Sequence, residues 1–295
     1  MSAVGREVSS SAPTAAWRRK LVPYGLLLPG GLWLIIFFVV PMLRLVSVSL
    51  QTGIYPRYRF AWAWSNYAEL VTNYGGQAVN SLVYAFLATA IAFLIAYPLA
   101  YFIAFRGGRW KNFLLVMLLM PFLMPFLLRT LSWKIILADH GLLVDLLKSV
   151  HLLGEDGRLL ATGVAVVAGI VYNFLAFMTL PIYVSLEKID RSLVEAANDL
   201  YASPAVAFRK VTFPLSRPGV VAGTLLTFIP AVGDYVNAVL LGTPQQFMIG
   251  NVIQSRFLVV LDYPVAAALS FTLMIVTVLL IIPYVRAAGT EDLVA

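Results

Sequence analysis

Long apolar runs without charge alternate with short polar segments along this chain. A helix needs about 20 residues to cross about 30 Å of hydrocarbon, and it tolerates proline and glycine when it does so. The pattern therefore predicts an all-α integral membrane protein with six transmembrane helices. The predicted spans are Tyr24–Met42, Ser81–Phe105, Phe113–Leu137, Leu159–Leu186, Gly219–Leu241 and Pro264–Val285.

The start of the chain has a different character. Met1–Ala16 is rich in Ser and Ala, and the basic cluster Arg18-Arg19-Lys20 precedes the first apolar run. That run is too long for the core of a signal peptide, and no small-x-small cleavage site follows it, so we expect an uncleaved span. We divide the chain into a disordered N-terminal tail (1–22), a six-span domain (23–286) and a C-terminal tail (287–295).

Composition supports a membrane protein and excludes several kinds of chemistry. The chain is 61% hydrophobic and only 12% charged, and its mean hydropathy is +0.87. A soluble domain carries about 25% charged residues, which argues against soluble enzymes. With no cysteine and two histidines, the sequence lacks the residues for disulfides, thiolate metal sites or cysteine nucleophiles. We therefore predict no catalytic residue and no metal site.

The net charge of +7 follows membrane topology. Thirteen Lys and Arg residues fall in the tails and the loops that share their side of the membrane, and five fall in the loops of the other side. Basic loops remain cytoplasmic, so both termini are predicted to be cytoplasmic. This distribution accounts for the basic excess without a nucleic-acid partner.

The long cytoplasmic loop Glu187–Pro218 carries mixed charge and apolar side chains. Within Ile189–Leu200, apolar residues recur at i, i+3, i+4 and i+7, which predicts a helix with one apolar face. Ser192 and Glu195 have the spacing of a capping box, and Asp190 is an alternative N-cap.

A second short helix is predicted to start at Ser203-Pro204, an N-cap residue followed by a proline suited to the first helical position. We expect it to end at Pro214 and Pro218. Two short helices joined by a tight turn form either a compact docking element or an ordinary surface pair lying along the bilayer.

One motif in this loop resembles a known family. Glu195-Ala196-Ala197 is followed by Asp199-Leu200, Ala202-Ser203, Phe208, Val211, Pro214 and Pro218-Gly219. The pattern resembles the EAA loop of permease subunits of bacterial ABC importers, which implies that the loop seats in a groove of an ATPase subunit. The residues that the resemblance assigns to ATPase coupling are Glu195, Ala196, Ala197, Asp199, Tyr201, Ala202, Ser203, Pro204 and Phe208.

The chain departs from the family at Tyr201, where glycine is usual. Glycine adopts positive φ at a turn without cost, whereas tyrosine does so only at a cost. We therefore expect the turn to be built differently here.

The resemblance extends across the membrane part of the chain, to the first permease of spermidine/putrescine transporters. The segments that carry it are Pro121–Leu137, with Pro125, Leu128-Arg129-Thr130 and Trp133, and Ile229–Pro264, with Pro230-Ala231-Val232-Gly233-Asp234, Leu241-Gly242, Met248-Ile249-Gly250-Asn251 and Asp262-Tyr263-Pro264. It implies a type I ABC importer permease fold, a bacterial cytoplasmic membrane, and a polyamine or a related amine or opine as substrate. The implied partners are ATP-binding cassette ATPase subunits, a second six-span permease, an extracytoplasmic substrate-binding protein and membrane lipid.

ATP hydrolysis is expected in a separate chain. A P-loop needs a Gly-Lys pair ahead of Ser or Thr, and none of the six lysines follows a glycine. We therefore expect no enzyme activity and no cofactor in this chain, with ATP and Mg bound by the partner ATPase.

Few ionisable groups lie inside the predicted spans. Because a charged group inside a membrane is energetically costly, each of these groups is a candidate functional residue. Asp234, with Tyr235 and Asn237 nearby and Arg129 on span three, is a candidate lining of the translocation path for a cationic substrate. Alternatively, Asp234 pairs with Arg129 or Arg44, or it reaches interfacial water. Snorkelling and aromatic anchoring are the simpler explanation for the cluster Arg129, Trp133 and Lys134.

The resulting hypothesis is a transport subunit whose Glu195–Val211 segment couples ATPase motion to alternating access. Glu195 either meets a basic group of the ATPase or only caps its helix. The alternatives are a self-contained secondary transporter and an ion channel, but the loop has no counterpart in the first half of the chain and nothing resembles a selectivity filter. An intramembrane hydrolase would need Ser with His or paired Asp within spans, which the sequence does not offer.

Overall fold

The computed structural model describes residues 26–288, so the two predicted tails lie almost entirely outside the described residues. It contains five helices long and apolar enough to cross a membrane and one bent helix pair of the same character. We number them as spans one to six. They are Leu26–Ser49, Gly75–Arg106, the pair Gly108–Leu123 and Phe126–Ile136, Gly163–Glu187, Pro204–Val232 and Tyr263–Ala288.

Spans two, four and five form the centre of the described fold. Span two presents a row of fully buried alanines at helical spacing, including Ala85, Ala88, Ala92 and Ala96. Small residues in such a row let neighbouring helix backbones approach closely, which is how helices associate when lipid removes the hydrophobic driving force.

Spans four and five touch through glycines. A Cβ on Gly219 would lie 2.5 Å from the carbonyl oxygen of Pro181, and one on Gly223 would lie 2.8 Å from that of Met178. Neither position has room for a side chain, so these two glycines set the distance between the spans.

Span three is bent by 93°, where the sequence predicts one span, Phe113–Leu137, containing prolines that would kink or break it. The break falls at Met124 and Pro125, whose backbones are extended with ψ of 145° and 136°. A proline disfavours the helical conformation of the residue before it, and its ring has no N–H to continue the ladder, so the helix restarts at Phe126.

Span five differs from its prediction at both ends. It begins at Pro204 and runs through Pro214 and Pro218, so these prolines do not end a short helix as expected. A π-helical turn over Phe208–Thr212 precedes Pro214. Its wider i to i+5 bonding accommodates a residue that has no N–H to donate.

The other end of span five is shorter than predicted. The helix stops at Val232, and a separate short helix, Val236–Leu241, follows after a three-residue break. Asp234 therefore lies in irregular backbone and not in the interior of a span.

Several elements outside the spans were not predicted. An antiparallel hairpin, Gln51–Ile54 with Arg57–Phe60, follows span one and pairs Gln51 with Phe60. The additional helices are Ser65–Asn73, Leu142–Ser149 and Ile249–Leu258, with a 3-10 turn at Pro244–Gln246.

Candidate functional site: the cytoplasmic loop and the break in span five

The first loop helix is Arg191–Asp199, and Asp190 precedes it. The Oδ1 atom of Asp190 accepts a hydrogen bond of 2.9 Å from the backbone N–H of Ser192, and this bond lowers the pKa of the carboxyl. Ser192 lies inside the helix, so the predicted capping box of Ser192 and Glu195 is wrong and the alternative cap is confirmed. Glu195 is exposed and is not needed to start the helix.

The helix ends in a left-handed turn at Tyr201, where φ is +57°. The N–H of Ala202 donates to the carbonyl of Ala197 at 3.0 Å, the bond that defines a Schellman motif. Tyr201 thus takes the conformation that glycine usually supplies, and the expectation of a differently built turn is wrong. Its side chain is 99% exposed, which removes steric conflict with the rest of the chain.

Many side chains of the loop are exposed when residues 26–288 alone are considered. Leu193 is 47% and Leu200 82% exposed, so the apolar face predicted for the first helix is not buried by residues 26–288. Of the residues assigned to ATPase coupling, Ala197 and Ala202 are half-buried, whereas those with exposed side chains are Glu195, Ala196, Asp199, Tyr201, Ser203, Pro204 and Phe208. The loop therefore presents apolar and acidic groups together.

Ser203 and Pro204 start the next helix as predicted. Ser203 has extended backbone (φ −64°, ψ 155°), and Pro204 is the first helical residue. Because this helix is the beginning of span five, the second loop helix and the span form one continuous element.

Phe208 joins the loop to span two. Its ring centroid lies 5.6 Å from that of Tyr97 and 6.0 Å from that of Tyr101. The hydroxyl of Tyr97 in turn lies 2.8 Å from the hydroxyl of Ser216 on span five. This aromatic cluster fixes the loop to two spans at once.

An ion pair lies beside the loop, at the same end of the described fold. Lys111 at the start of span three pairs with Glu187 at the end of span four, and the ammonium also lies 5.5 Å from the ring centroid of Tyr183. The pair holds spans three and four together beside the loop.

The break in span five holds a buried polar cluster. The Oδ1 atom of Asp234 accepts from the N–H of Asn237 at 3.0 Å, and Oδ2 accepts from the Asn237 side-chain amide. Asp234 lies just before the N-cap residue Tyr235, and its carboxylate satisfies a backbone N–H in the first turn of the helix Val236–Leu241. Asp234 has no ion-pair partner within 4 Å among residues 26–288, so the predicted pairing with Arg129 or Arg44 is wrong.

Asn237 continues the cluster into two other spans. Its Oδ1 accepts from the amide of Asn173 at 3.1 Å, and the same amide donates to the hydroxyl of Thr130 at 3.1 Å. A Cβ on Gly169 would lie 2.6 Å from this Oδ1, so glycine makes room for the amide. The cluster ties spans three and four to the break in span five.

Tyr235 and Arg129 have different surroundings. Tyr235 is 43% exposed, and its carbonyl accepts from the amide of Asn251 at 2.9 Å. Arg129 is only 7% exposed, and its guanidinium lies over the rings of Phe122 and Phe126 with centroid distances of 5.2 and 5.8 Å. The predicted snorkelling is therefore wrong for Arg129, whereas Lys134 on the same span is exposed.

The cluster members Asn173 and Thr130 were missed by the sequence interpretation. Asn173 is a lone amide in the middle of an uncharged span, and a polar side chain in such a place is a signal for an interhelical hydrogen bond. Thr130 gives no comparable signal, because a threonine hydroxyl in a helix can also donate a hydrogen bond to a backbone carbonyl of its own helix.

Comparisons with known proteins identify the family. The model of the binding-protein-dependent transport system inner membrane component family matches residues 92–287. The chain is 38% identical over 257 residues to a spermidine/putrescine transport system permease protein PotB of Haemophilus influenzae, covering 86% of this chain and 90% of the relative. The PotB protein of Escherichia coli is 36% identical over 258 residues, with 87% and 94% coverage.

Solved structures show the same fold. A chain of a bacterial ABC transporter that imports the acidic polysaccharide alginate superposes with a TM-score of 0.70 at 16% identity, covering 92% of this chain and 96% of that one. A chain of the inward-facing MetNI methionine ABC transporter gives 0.56 at 17% identity, with 72% and 94% coverage. The chain therefore belongs to the family of binding-protein-dependent transport system inner membrane components, as a permease subunit of an ABC importer.

Proposed function

We propose that this permease carries a polyamine or a related small amine or opine across the bacterial cytoplasmic membrane. The support is the identity of 36–38% over most of the chain to permeases named for spermidine and putrescine. In this proposal the termini face the cytoplasm, a second six-span permease completes the path, and an extracytoplasmic binding protein delivers the solute. ATP and Mg are bound by partner ATPase subunits, and this chain holds no cofactor.

The coupling loop is proposed to dock on an ATPase subunit. The observation that carries this is an apolar helix face left exposed by this chain at Leu193 and Leu200, next to the carboxylates of Glu195 and Asp199. Exposed apolar patches rimmed by charge are typical of protein interfaces. Movement of the docked loop reaches the membrane directly, because Pro204–Val232 is one helix.

The translocation path is proposed to run beside the break in span five. Tyr235 is the exposed member that can contact a passing solute, since aromatic faces attract organic cations. Asp234 and Asn237 hold the broken backbone that presents Tyr235. Arg129, stacked on two phenyl rings of the broken span three, shapes the neighbouring wall.

Cysteine cross-linking tests the docking proposal, and the chain has no native cysteine to interfere. We expect Ala196→Cys in the assembled transporter to cross-link to its ATPase subunit with a short bifunctional reagent. Leu142→Cys, also exposed but at the opposite end of the predicted topology, is the matched control. Absence of an Ala196→Cys adduct, or equal yields at both positions, would overturn the docking proposal.

The charge of Glu195 is tested separately. Capping of this helix belongs to Asp190, so the remaining role for the carboxylate is contact with a basic group on the ATPase. Glu195→Gln is expected to lower ATP-driven uptake with the loop helix intact. Full uptake by Glu195→Gln would show that the charge makes no such contact.

A further inference from the structure

The end of span one carries a patch of arginines and aromatic rings. Arg57 and Arg59 are exposed on the second hairpin strand, and Phe60, Trp62 and Trp64 follow them with exposed fractions of 51%, 63% and 62%. Neighbouring rings lie close together: the ring centroids of Phe60 and Trp62 are 5.0 Å apart, and those of Trp62 and Trp64 are 6.5 Å apart. We call these five residues the hairpin patch.

The patch is held rigidly at the end of span one. The side-chain amide of Asn66 donates to the carbonyl oxygens of Ser49 at 2.8 Å and Gln51 at 2.9 Å. The N–H groups of Ala61 and Ala63 both donate to the carbonyl of Leu50. These bonds cap the free carbonyls of the helix end and fix the hairpin to it.

The arginines point away from the body of the protein. Tyr58, which lies between them on the strand, packs inward: its hydroxyl donates to the carbonyl of Leu261, and its ring centroid is 5.8 Å from that of Tyr263. Successive side chains on a strand alternate between faces, so Arg57 and Arg59 share the opposite face. Arg57 and Arg59 therefore lie two residues apart on one exposed face of the strand, where both can reach a common group.

No carboxylate lies within 4 Å of either guanidinium in the part of the chain that the structure describes. Two of the three other basic residues on the same predicted side are paired: Arg158 lies 2.9 Å from Asp139, and Arg256 lies 3.0 Å from Asp262. The hairpin patch is thus a place of uncompensated positive charge.

The patch also lies at a defined depth. The described part of span one, Leu26–Ser49, has 24 residues and a length of about 36 Å, which already exceeds the hydrocarbon thickness of about 30 Å. The hairpin begins two residues after the span ends, which places it close to the predicted membrane surface. Exposed tryptophans are favourable at that level, and guanidinium groups bind phosphate with two parallel hydrogen bonds.

We propose that the hairpin patch binds an anionic phospholipid, with the phosphate between Arg57 and Arg59 and the rings at the boundary of headgroups and acyl chains. The bound lipid anchors the end of span one, whose sides are otherwise exposed along most of its length. This site goes beyond solute transport and does not depend on the identity of the solute.

The test uses the complete transporter in nanodiscs of phosphatidylcholine with a minor fraction of phosphatidylglycerol. Native mass spectrometry during a phosphatidylglycerol titration measures how many lipids are retained and how tightly. We expect the double variant Arg57→Gln/Arg59→Gln to bind the tightest phosphatidylglycerol about thirtyfold more weakly, because two positive charges that attract the phosphate are lost. Arg57→Lys/Arg59→Lys keeps the charge and is expected to lose less.

The matched control, Lys148→Gln/Arg158→Gln, removes the same charge from the same predicted side and is expected to retain the lipid. Unchanged retention by the glutamine pair, or equal losses in the control, would overturn the proposal. Binding of the purified solute-binding protein is measured in pure phosphatidylcholine nanodiscs. If the glutamine pair weakens only that binding, the patch is a protein docking surface and the lipid site is wrong.

Discussion

At the scale of single residues, Asn173 is the centre of the buried cluster. Its amide donates to Thr130 on span three and to Asn237 on the short helix Val236–Leu241, so one side chain joins three elements. An unpaired buried polar group costs about 1–3 kcal/mol, since it gives up water without gaining a partner.

We predict that Asn173→Leu lowers the stability of the assembled transporter by about 1–3 kcal/mol, because acceptors on Thr130 and Asn237 lose a donor. The measurement is the thermal unfolding midpoint of the purified complex. Thr179→Val is the control, because the Thr179 hydroxyl donates only to the Leu175 carbonyl of its own helix. Equal midpoints for the two variants would contradict the bridging role.

A second prediction concerns the strained turn at Tyr201. A non-glycine residue at positive φ costs about 1–2 kcal/mol. Tyr201→Gly is expected to leave the turn at least as stable, whereas Tyr201→Val is expected to open it, because a β-branched residue fits this region worst. Limited proteolysis within residues 188–210 measures the opening. Cleavage of the valine variant at the rate of the unchanged chain would show that the turn carries no such strain.

At the scale of elements, the continuous helix Pro204–Val232 is the structural link between loop and membrane. Phe208 joins this helix to span two through Tyr97 and Tyr101. Loop movement therefore reaches two spans together. Span five is continuous with the second loop helix, and span two is packed against Phe208.

Phe208→Ala is predicted to uncouple the transporter. Each aromatic pair contributes about 0.5–1.5 kcal/mol, so we expect a several-fold fall in solute uptake while ATP hydrolysis continues. The ratio of solute imported to ATP hydrolysed in proteoliposomes is the measurement. Phe102→Ala, an exposed phenylalanine on the same end of span two, serves as control. A proportional fall in both activities would contradict a linking role.

The elements also show which features could be predicted from sequence. Apolar run length predicted all six spans, and helix periodicity with turn residues predicted the loop helix Arg191–Asp199. The break in span three and the continuous start of span five are not distinguished by sequence, because a proline in an apolar run looks the same in both cases. Pro125 lies where the helix breaks, whereas Pro214 is accommodated after a π-helical turn. Neighbouring spans decide between these outcomes.

The buried cluster was predictable only in part, for a similar reason. Asp234 is recognisable from sequence as a lone acid in an apolar run. The sequence predicts that Asn237 lines the path beside it, whereas the structure shows that Asn237 is its hydrogen-bond partner. The contribution of Asn173 and Thr130 depends on three helices meeting, which no local pattern contains. The hairpin Gln51–Phe60 was missed because its strands are only four residues long.

At the scale of the whole molecule, the exposed loop face and the exposed sides of the spans are those of one subunit in a larger assembly. The family membership accounts for both, and it favours an importer subunit over a self-contained secondary transporter or channel. Because partners supply ATP hydrolysis and solute delivery in the proposed function, activity is a property of the assembly.

ATP-driven uptake of labelled spermidine tests the proposed function most directly. The chain is reconstituted into proteoliposomes with its second permease, ATPase and solute-binding protein, and uptake is compared with and without ATP. The account predicts ATP-dependent accumulation that is lost when this chain is omitted and reduced by Phe208→Ala. Accumulation without the ATPase subunit, or none for spermidine, putrescine and related amines in an assembly that hydrolyses ATP, would contradict it.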